Sequence, residues 1–484
     1  YTALMHTPCF PAFRARLAAL GRRSLAKVRP ATLAQLGQNL RQLIPVHLLA
    51  SEDDGPNSRE RAFPLRLTCE CFVWQMLNPG TSCREVVRHL QALCRLRGGS
   101  ALDEGTSAYV QARQRLPEER LEKIMQATAA AADRRAGAAG GLQGRPIKVV
   151  DGSTVQLPDT PKNQREYPQP STQKKGCGFP VMKLAVLFSL ASGAIVRVVT
   201  GPLHSHDLRL FRQLWEDLKS GDILMGDRAY GEYATVAGLK QRAADVIARL
   251  HQGRKVDFRK SQRLGKNDGL FTWKRGYQQS DIVTGQEWGL LPETIQVRIL
   301  RFVIEVPGFR SHQITLVTTL LDPTLFPAHE LAKAYARRWR LEMCLRDVKT
   351  TLGMEALRCQ SPAMARKEML AFLIAHNLTR CVMAQAGRLY DADWERISFK
   401  GTLDALRQYS AAIAAAKNRK LRQRLWQDLL TNLVRDPVPL RTGRREPRAT
   451  KRRPKPYPLL NQSRRTFKEI PHRNRYWKNN PRNS

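Results

Sequence analysis

Two rhythms of apolar and polar positions divide the chain. Up to about residue 140, apolar residues recur every three or four positions in Arg14–Arg29, Leu33–Ile44 and Arg84–Leu96, the spacing of amphipathic helices. Ser51-Glu-Asp-Asp-Gly-Pro-Asn-Ser58 between them reads as a turn or linker. Ser107–Pro117 predicts a Ser-capped helix with a basic face, suited to lying along phosphates or to solvating a bundle. The Ala/Gly-rich run Ala127–Gly141 predicts a hinge.

From Ile147 the period shortens. Ile147–Val150, Val181–Leu190 and Ala194–Val199 are short apolar or β-branched runs, and Ser192-Gly193 joins the last two as a hairpin. A helix over Leu208–Leu218, a strand over Asp222–Met225, a helix over Tyr233–Arg242 and a strand over Val246–Leu250 follow. That order predicts an α/β fold with a ribonuclease H-like core.

Residues 251–324 interrupt this pattern with a basic stretch, Arg254–Arg263, and strand-like runs at Ile295–Val306 and Ile314–Leu321. A helix from His329 to about Leu352 resumes the core, followed by helical stretches at Ala363–Ala386 and Leu403–Val434. The expected layout is a helical N-terminal region (1–140), a ribonuclease H-like core in two parts (141–250 and 325–400) around a β-rich insertion (251–324), a helical C-terminal region (401–440) and a basic tail (441–484). The tail carries fifteen Lys or Arg against two Glu and predicts an extended segment when alone.

Charge narrows the class of partner. Lys and Arg total 81 against 42 Asp and Glu, a formal charge of +39. Such a surplus points to a polyanion, because each cation that neutralises a phosphate releases a condensed counterion. Nine cysteines, an odd number without a CxxC pair, support neither a zinc site nor a disulfide framework. The longest apolar stretch, Val181–Val199, is broken by Lys183 and Arg197, so a membrane span is not expected. No secretory signal is visible; the expectation is a soluble, intracellular protein.

Cutting a phosphodiester requires carboxylates aimed at one point to hold Mg2+ or Mn2+. Asp151 ends the strand that begins at Ile147, and Asp227 follows Ile223–Met225 in Gly-Asp-Arg-Ala-Tyr230. Each acid alone reads as an ordinary turn or loop residue. Strand ends of an α/β sheet, however, gather sites. The third acid is sharper. On a regular helix starting from Tyr335, Arg338, Glu342 and Lys349 fall at about 300°, 340° and 320°, one polar arc beside a stripe of Leu341, Leu345, Val348 and Leu352. A lone carboxylate among cations on a face bordering the core suits an acid holding metal while its neighbours grip phosphates. His204-Ser-His206-Asp207 gathers metal-ligand residue types, but a loop capping the helix at Leu208, with Asp207 as cap, accounts for it. Glu355 and Glu368 read as surface acids.

The pattern Tyr335, Arg338, Glu342, Lys349 resembles the YREK signature of insertion-sequence DDE transposases of the IS-four family. Asp151-Gly-Ser-Thr resembles that family's first-acid motif, Gly226-Asp227-Arg228-Ala-Tyr230 its second, and the β-rich segment its insertion. The likeness covers roughly residues 65–460, including the basic run Arg444–Lys455. It implies cut-and-paste DNA transposition, passing through a DNA hairpin. Asp151, Asp227 and Glu342 would be catalytic and hold two Mg2+ (or Mn2+) ions per active site. Tyr335, Arg338, Lys349 and Arg228 would bind DNA. A flipped base would stack on an aromatic residue of the insertion, with Trp273 and Trp288 as candidates. The implied partners are double-stranded DNA, as terminal inverted repeats and target, and a second copy in a synaptic homodimer. The implied location is the bacterial cytoplasm, with the nucleoid. The competing expectation is a catalytically inactive, transposase-derived DNA-binding protein.

Overall fold

The computed structural model describes residues 43–49, 63–96, 103–137, 141–304 and 312–439, with 462, 463 and 465–467 of the tail. The helices expected at Arg14–Arg29 and, apart from its last two residues, at Leu33–Ile44 lie outside the described residues, as does most of the basic tail.

The N-terminal part is helical: α1 (Leu65–Leu77), α2 (Cys83–Leu96), α3 (Ser107–Arg115) and α4 (Glu118–Ala136). The Ala-rich run is therefore not a hinge up to Ala136. Alanine is the strongest helix former, and Ala129, Ala131 and Ala132 are buried where their small side chains allow close packing.

The sheet then begins with β1 (Gly141–Leu142), β2 (Arg145–Gln156), β3 (Val181–Ser189) and β4 (Ile195–Pro202). Next come α5 (Asp207–Gln213), which continues as a 3-10 turn to Asp217, then β5 (Ile223–Gly226), α6 (Tyr233–Gln241) and β6 (Asp245–Arg249). β2, β3 and β4 form an antiparallel meander, and β5 and β6 add to β2 in parallel. β5 is buried along its length, as a strand covered on both faces must be.

The segment expected to interrupt the core instead prolongs its sheet. β7 (Gln262–Gly265), β8 (Asp268–Lys274), β9 (Thr294–Ile304) and β10 (His312–Thr318) run antiparallel to one another, and β10 pairs with β6. The order is β4-β3-β2-β5-β6-β10-β9-β8-β7, one mixed sheet of ten strands with β1 beside β2. Arg298, almost wholly buried, fastens β9 by an ion pair to Asp268 and by a hydrogen bond of 2.7 Å to the Phe326 carbonyl. The chain then enters α7 (Ala328–Arg346), α8 (Pro362–Leu389), α9 (Phe399–Ala415) and α10 (Arg419–Arg435).

Alternate strand residues feed two cores. Ile147 and Val149 of β2, with Ile223 and Met225 of β5, join the core shared with α4, α7 and α8. Val150 and Leu224 join the opposite one, with α5, α6 and the residues around Trp273. The first core is locked by Asn377 of α8. Its amide accepts from Ile195 N–H (2.8 Å) and donates to the carbonyls of Ile195 (2.9 Å) and Met125 (3.0 Å).

Candidate active site

Strand alternation decides which way the acids face. Residues two apart point to the same side, so Asp151 follows Ile147 and Val149 toward the face covered by α7. Asp227, two beyond Met225, falls in the same column of β5. The last parallel pair is Val149↔Met225, so each aspartate lies two residues beyond it, Asp151 still within β2 and Asp227 just past the end of β5. Past that pair β2 has no β5 partner, and both acids lie at the carboxyl ends of the parallel strands, where sites on such sheets gather.

Asp151 does not end its strand. It pairs with Val186, Gly152 pairs with Ala185, and the extended chain runs on to Gln156. An Asp-Gly pair reverses a free chain; here β3 holds it straight. The Asp151 carboxylate accepts from its own Gly152 N–H at 2.9 Å. Burial raises its pKa above the ordinary aspartate value. The Gly152 N–H and the Arg338 charge act against that rise, and the nearby Glu342 and Asp227 charges add to it.

Asp227 opens the short 3-10 turn Arg228–Tyr230. Its Oδ1 is buried without a hydrogen-bond partner. Gly226 is required just before it, since a Cβ there would lie 2.8 Å from the Cβ and ring of Tyr230. Tyr230 folds back over the strand end to meet Phe211 edge-on, ring centres 4.8 Å apart. Arg228 donates to the Gln252 side chain (2.7 Å), tying the motif to the loop after β6.

Helix α7 brings the third acid. Tyr335, Leu341 and Leu345 pack into the first core, which sets the rotation of the helix. Glu342 remains half exposed and accepts from Arg338 Nη2 at 3.1 Å. Arg338 is buried, its guanidinium 5.5 Å from the centre of the Tyr335 ring. Burial alone would lower its pKa, yet Tyr335, Glu342, Asp227 and Asp151 around it raise it overall. One guanidinium thus feels all three acids.

The regular helix stops short of Lys349. Asp347–Thr351 form a π turn, closed by Leu352 N–H to the Asp347 carbonyl (2.9 Å), so the regular spacing used to place Lys349 does not hold. Lys349 nonetheless lines an open cleft of about 360 Å³ together with Asp151, Ser153, Glu342 and Glu355. The turn is anchored beneath by Asp347, which pairs with Arg380 of α8 at 2.7 Å.

Other expectations fare differently. Trp273 is buried, with Arg254 4.0 Å from its ring centre, and so presents no open stacking face. Its place in the sheet makes it a core residue. Trp288 is half-buried, edge-on to Tyr233 at 6.3 Å, while Tyr277 in the same segment is fully exposed. Glu368 is no surface acid: buried, it accepts from the N–H groups of Arg358 and Cys359. Glu355 is exposed but faces the cleft; its sequence carried no signal apart from Gly353 two residues before. The cap of α5 is His206, accepting from Leu208 N–H, whereas Asp207 pairs with Lys183 at 2.8 Å. Among the described residues, no three His, Cys, Asp or Glu side chains are already drawn together as a metal cluster. Glu342 is turned toward Arg338 instead.

Comparison with known proteins bears on the class of protein. Residues 142–378, from β1 into α8, match the family model of the transposase DDE domain. The chain is 24% identical over 405 residues to the transposase InsG of insertion sequence element IS4 from Escherichia coli K12, covering 83% of this chain and 88% of that one. It is 24% identical over 181 residues to InsZ of the same strain, covering 37% of this chain and 60% of that one. Among solved structures, a piggyBac transposase synaptic complex with hairpin DNA aligns over 85% of this chain and 86% of that chain, at 8% identity and a TM-score of 0.40. Over residues 142–378 the chain thus matches the DDE transposase domain, a family of enzymes of DNA cleavage and strand transfer. Within that class its likeness to InsG points to the insertion-sequence transposases of the IS4 group.

Proposed function

We propose that Asp151, Asp227 and Glu342 are the catalytic acids of this transposase and hold its divalent metal, two Mg2+ or Mn2+ ions per active site. The donor set fits such ions: three carboxylates, one of them with a buried oxygen that lacks a proton donor. When bound, the ions would sharpen the attacking oxygen and stabilise the leaving one. For Glu342 to join them, Arg338 must release it, and the freed guanidinium is then available to a DNA phosphate. Tyr335 orients Arg338 from below, Lys349 offers a second cation at the cleft, and Arg228 steadies a strand beside Asp227. Among the described residues of 251–324, Tyr277 offers a fully exposed ring and Trp288 a half-buried one.

The strand order and directions of β2 to β6 support a ribonuclease H-like core, and the helical region before it would bind DNA. The substrate is double-stranded DNA, as terminal inverted repeats and target, acted on by a homodimer through a hairpin intermediate. No described helix is long and apolar enough to cross a membrane, and the proposed setting is the bacterial cytoplasm, at the nucleoid.

The observation that carries this reading is the shared column of Asp151 and Asp227 facing the helix of Glu342. Incubating the protein with Mg2+ and DNA bearing its element's terminal repeats should give strand cleavage. Cleavage by Glu342→Ala as fast as by the parent would overturn the assignment.

A further inference from the structure

The chain beyond the π turn takes a path that helix continuation would not give. Gly353 adopts φ +89°, a left-handed conformation that glycine tolerates without strain. The reversal is closed by Met354 N–H to the Val348 carbonyl (3.2 Å) and Glu355 N–H to the Lys349 carbonyl (3.1 Å). The returning chain then pairs with the end of β2. Gln156 N–H donates to the Glu355 carbonyl (3.0 Å), and Leu357 N–H to the Gln156 carbonyl (2.9 Å). Glu355 is therefore pinned on both sides, to the π turn that carries Lys349 and to the strand that carries Asp151. Its backbone is spent on structure, and its side chain lines the cleft with Asp151, Ser153 and Glu342.

We propose that Glu355 is a fourth acid of the active site, whose carboxylate helps hold the cation bound at Asp151 and Glu342. The inference rests on the metal reading of those two residues. Asp151, Glu342 and Glu355 bring three carboxylates to one cleft, and hard divalent ions take carboxylate oxygens directly or through their remaining waters. Arg346 and Lys349 also line the cleft, yet neither forms an ion pair with Glu355 among the described residues. Ser153, two residues along the same face of β2 from Asp151, offers a hydroxyl to the same ion's water shell.

Calorimetric titration of the full chain with Mn2+ alone, without DNA, tests this. Glu355→Gln keeps every backbone bond that pins the segment, and equal thermal melting with the parent in EDTA verifies its fold. Mn2+ affinity should fall about tenfold or more, as when outer ligands of metal sites are lost, alongside losses in Glu342→Gln and Asp151→Asn. Unchanged affinity in Glu355→Gln, with affinity lost in the other two, overturns the fourth acid and leaves the metal reading standing. Unchanged affinity in all three overturns both. Should Glu355→Gln not fold, the unsubstituted chain answers instead. Fe2+ with peroxide and ascorbate should cut the backbone beside residues 151, 342 and 355. Cuts at the first two without the third reject the proposal.

Discussion

Asp151 and Asp227 occupy matched positions: each lies two residues beyond the last parallel pair, Val149↔Met225, of strands that are neighbours in the sheet, though they are 76 positions apart in the chain. Everything that α7 adds is placed against this fixed column. The same face receives Tyr335 and Leu341, and the helix cannot rotate without unpacking them.

Arg338 couples the acids to one another and, in the proposed reading, to DNA. Arg338→Ala should weaken binding of a pre-cleaved transposon end by about tenfold or more, the loss of a charge-assisted hydrogen bond. The slope of log affinity against log salt should shrink by about one unit. Gel-shift titrations at several salt concentrations read both, and an unchanged slope would remove Arg338 from the phosphate contacts.

Gly226 is a packing position next to a catalytic candidate. Gly226→Ala places a methyl 2.8 Å from Tyr230 and should cost about 1–3 kcal/mol by overpacking. Cleavage should suffer as well, because relief comes from moving Tyr230 and with it the turn that begins at Asp227. Denaturant unfolding and a cleavage assay on one preparation measure the two effects. A variant as stable and active as the parent would show that Tyr230 yields freely.

The buried pair Asp347–Arg380 ties the π turn to α8. Arg380→Ala leaves a carboxylate buried without its cation and should destabilise the fold by about 3–5 kcal/mol. Arg380 also donates to Cys344 Sγ (3.2 Å), so the loss extends into α7. Replacing both partners with apolar residues should restore much of the stability, which thermal melting of the single and double variants would reveal.

His376 is wholly buried, hydrogen-bonded to the Gly193 carbonyl (3.1 Å), and burial pushes its pKa down to about 3. Its ordinary value is 6.5, so the unfolded chain takes up a proton over a range where the folded chain refuses it. The stability contributed by this neutral imidazole is fully present above pH 6.5 and is lost as pH falls toward 3, by about 1.4 kcal/mol per pH unit. Unfolding followed between pH 7 and pH 5 should show a steeper decline in the parent than in His376→Gln. Parallel curves would place the acid sensitivity elsewhere.

Much of the candidate site was legible because its signals are local. Tyr335, Arg338 and Glu342 share one stretch of strong helix formers, where spacing alone sets the face, and the apolar runs before Asp151 and Asp227 mark strands wherever they occur. The hairpin at Ser192-Gly193 belongs to the same class of signal. What lay beyond the sequence depended on distant partners. Pairing with β3 straightens Asp151-Gly152, which alone would turn. Pairing of β10 with β6 makes the 251–324 segment part of the core sheet. The Arg380 pair lies under the π turn where helix periodicity ends, and bonding to Gln156 turns Glu355 from a loop acid into a wall of the cleft. Local propensity is written in neighbouring residues; these placements are set by hydrogen bonds and ion pairs between segments far apart in sequence, and exist only once the chain has closed on itself.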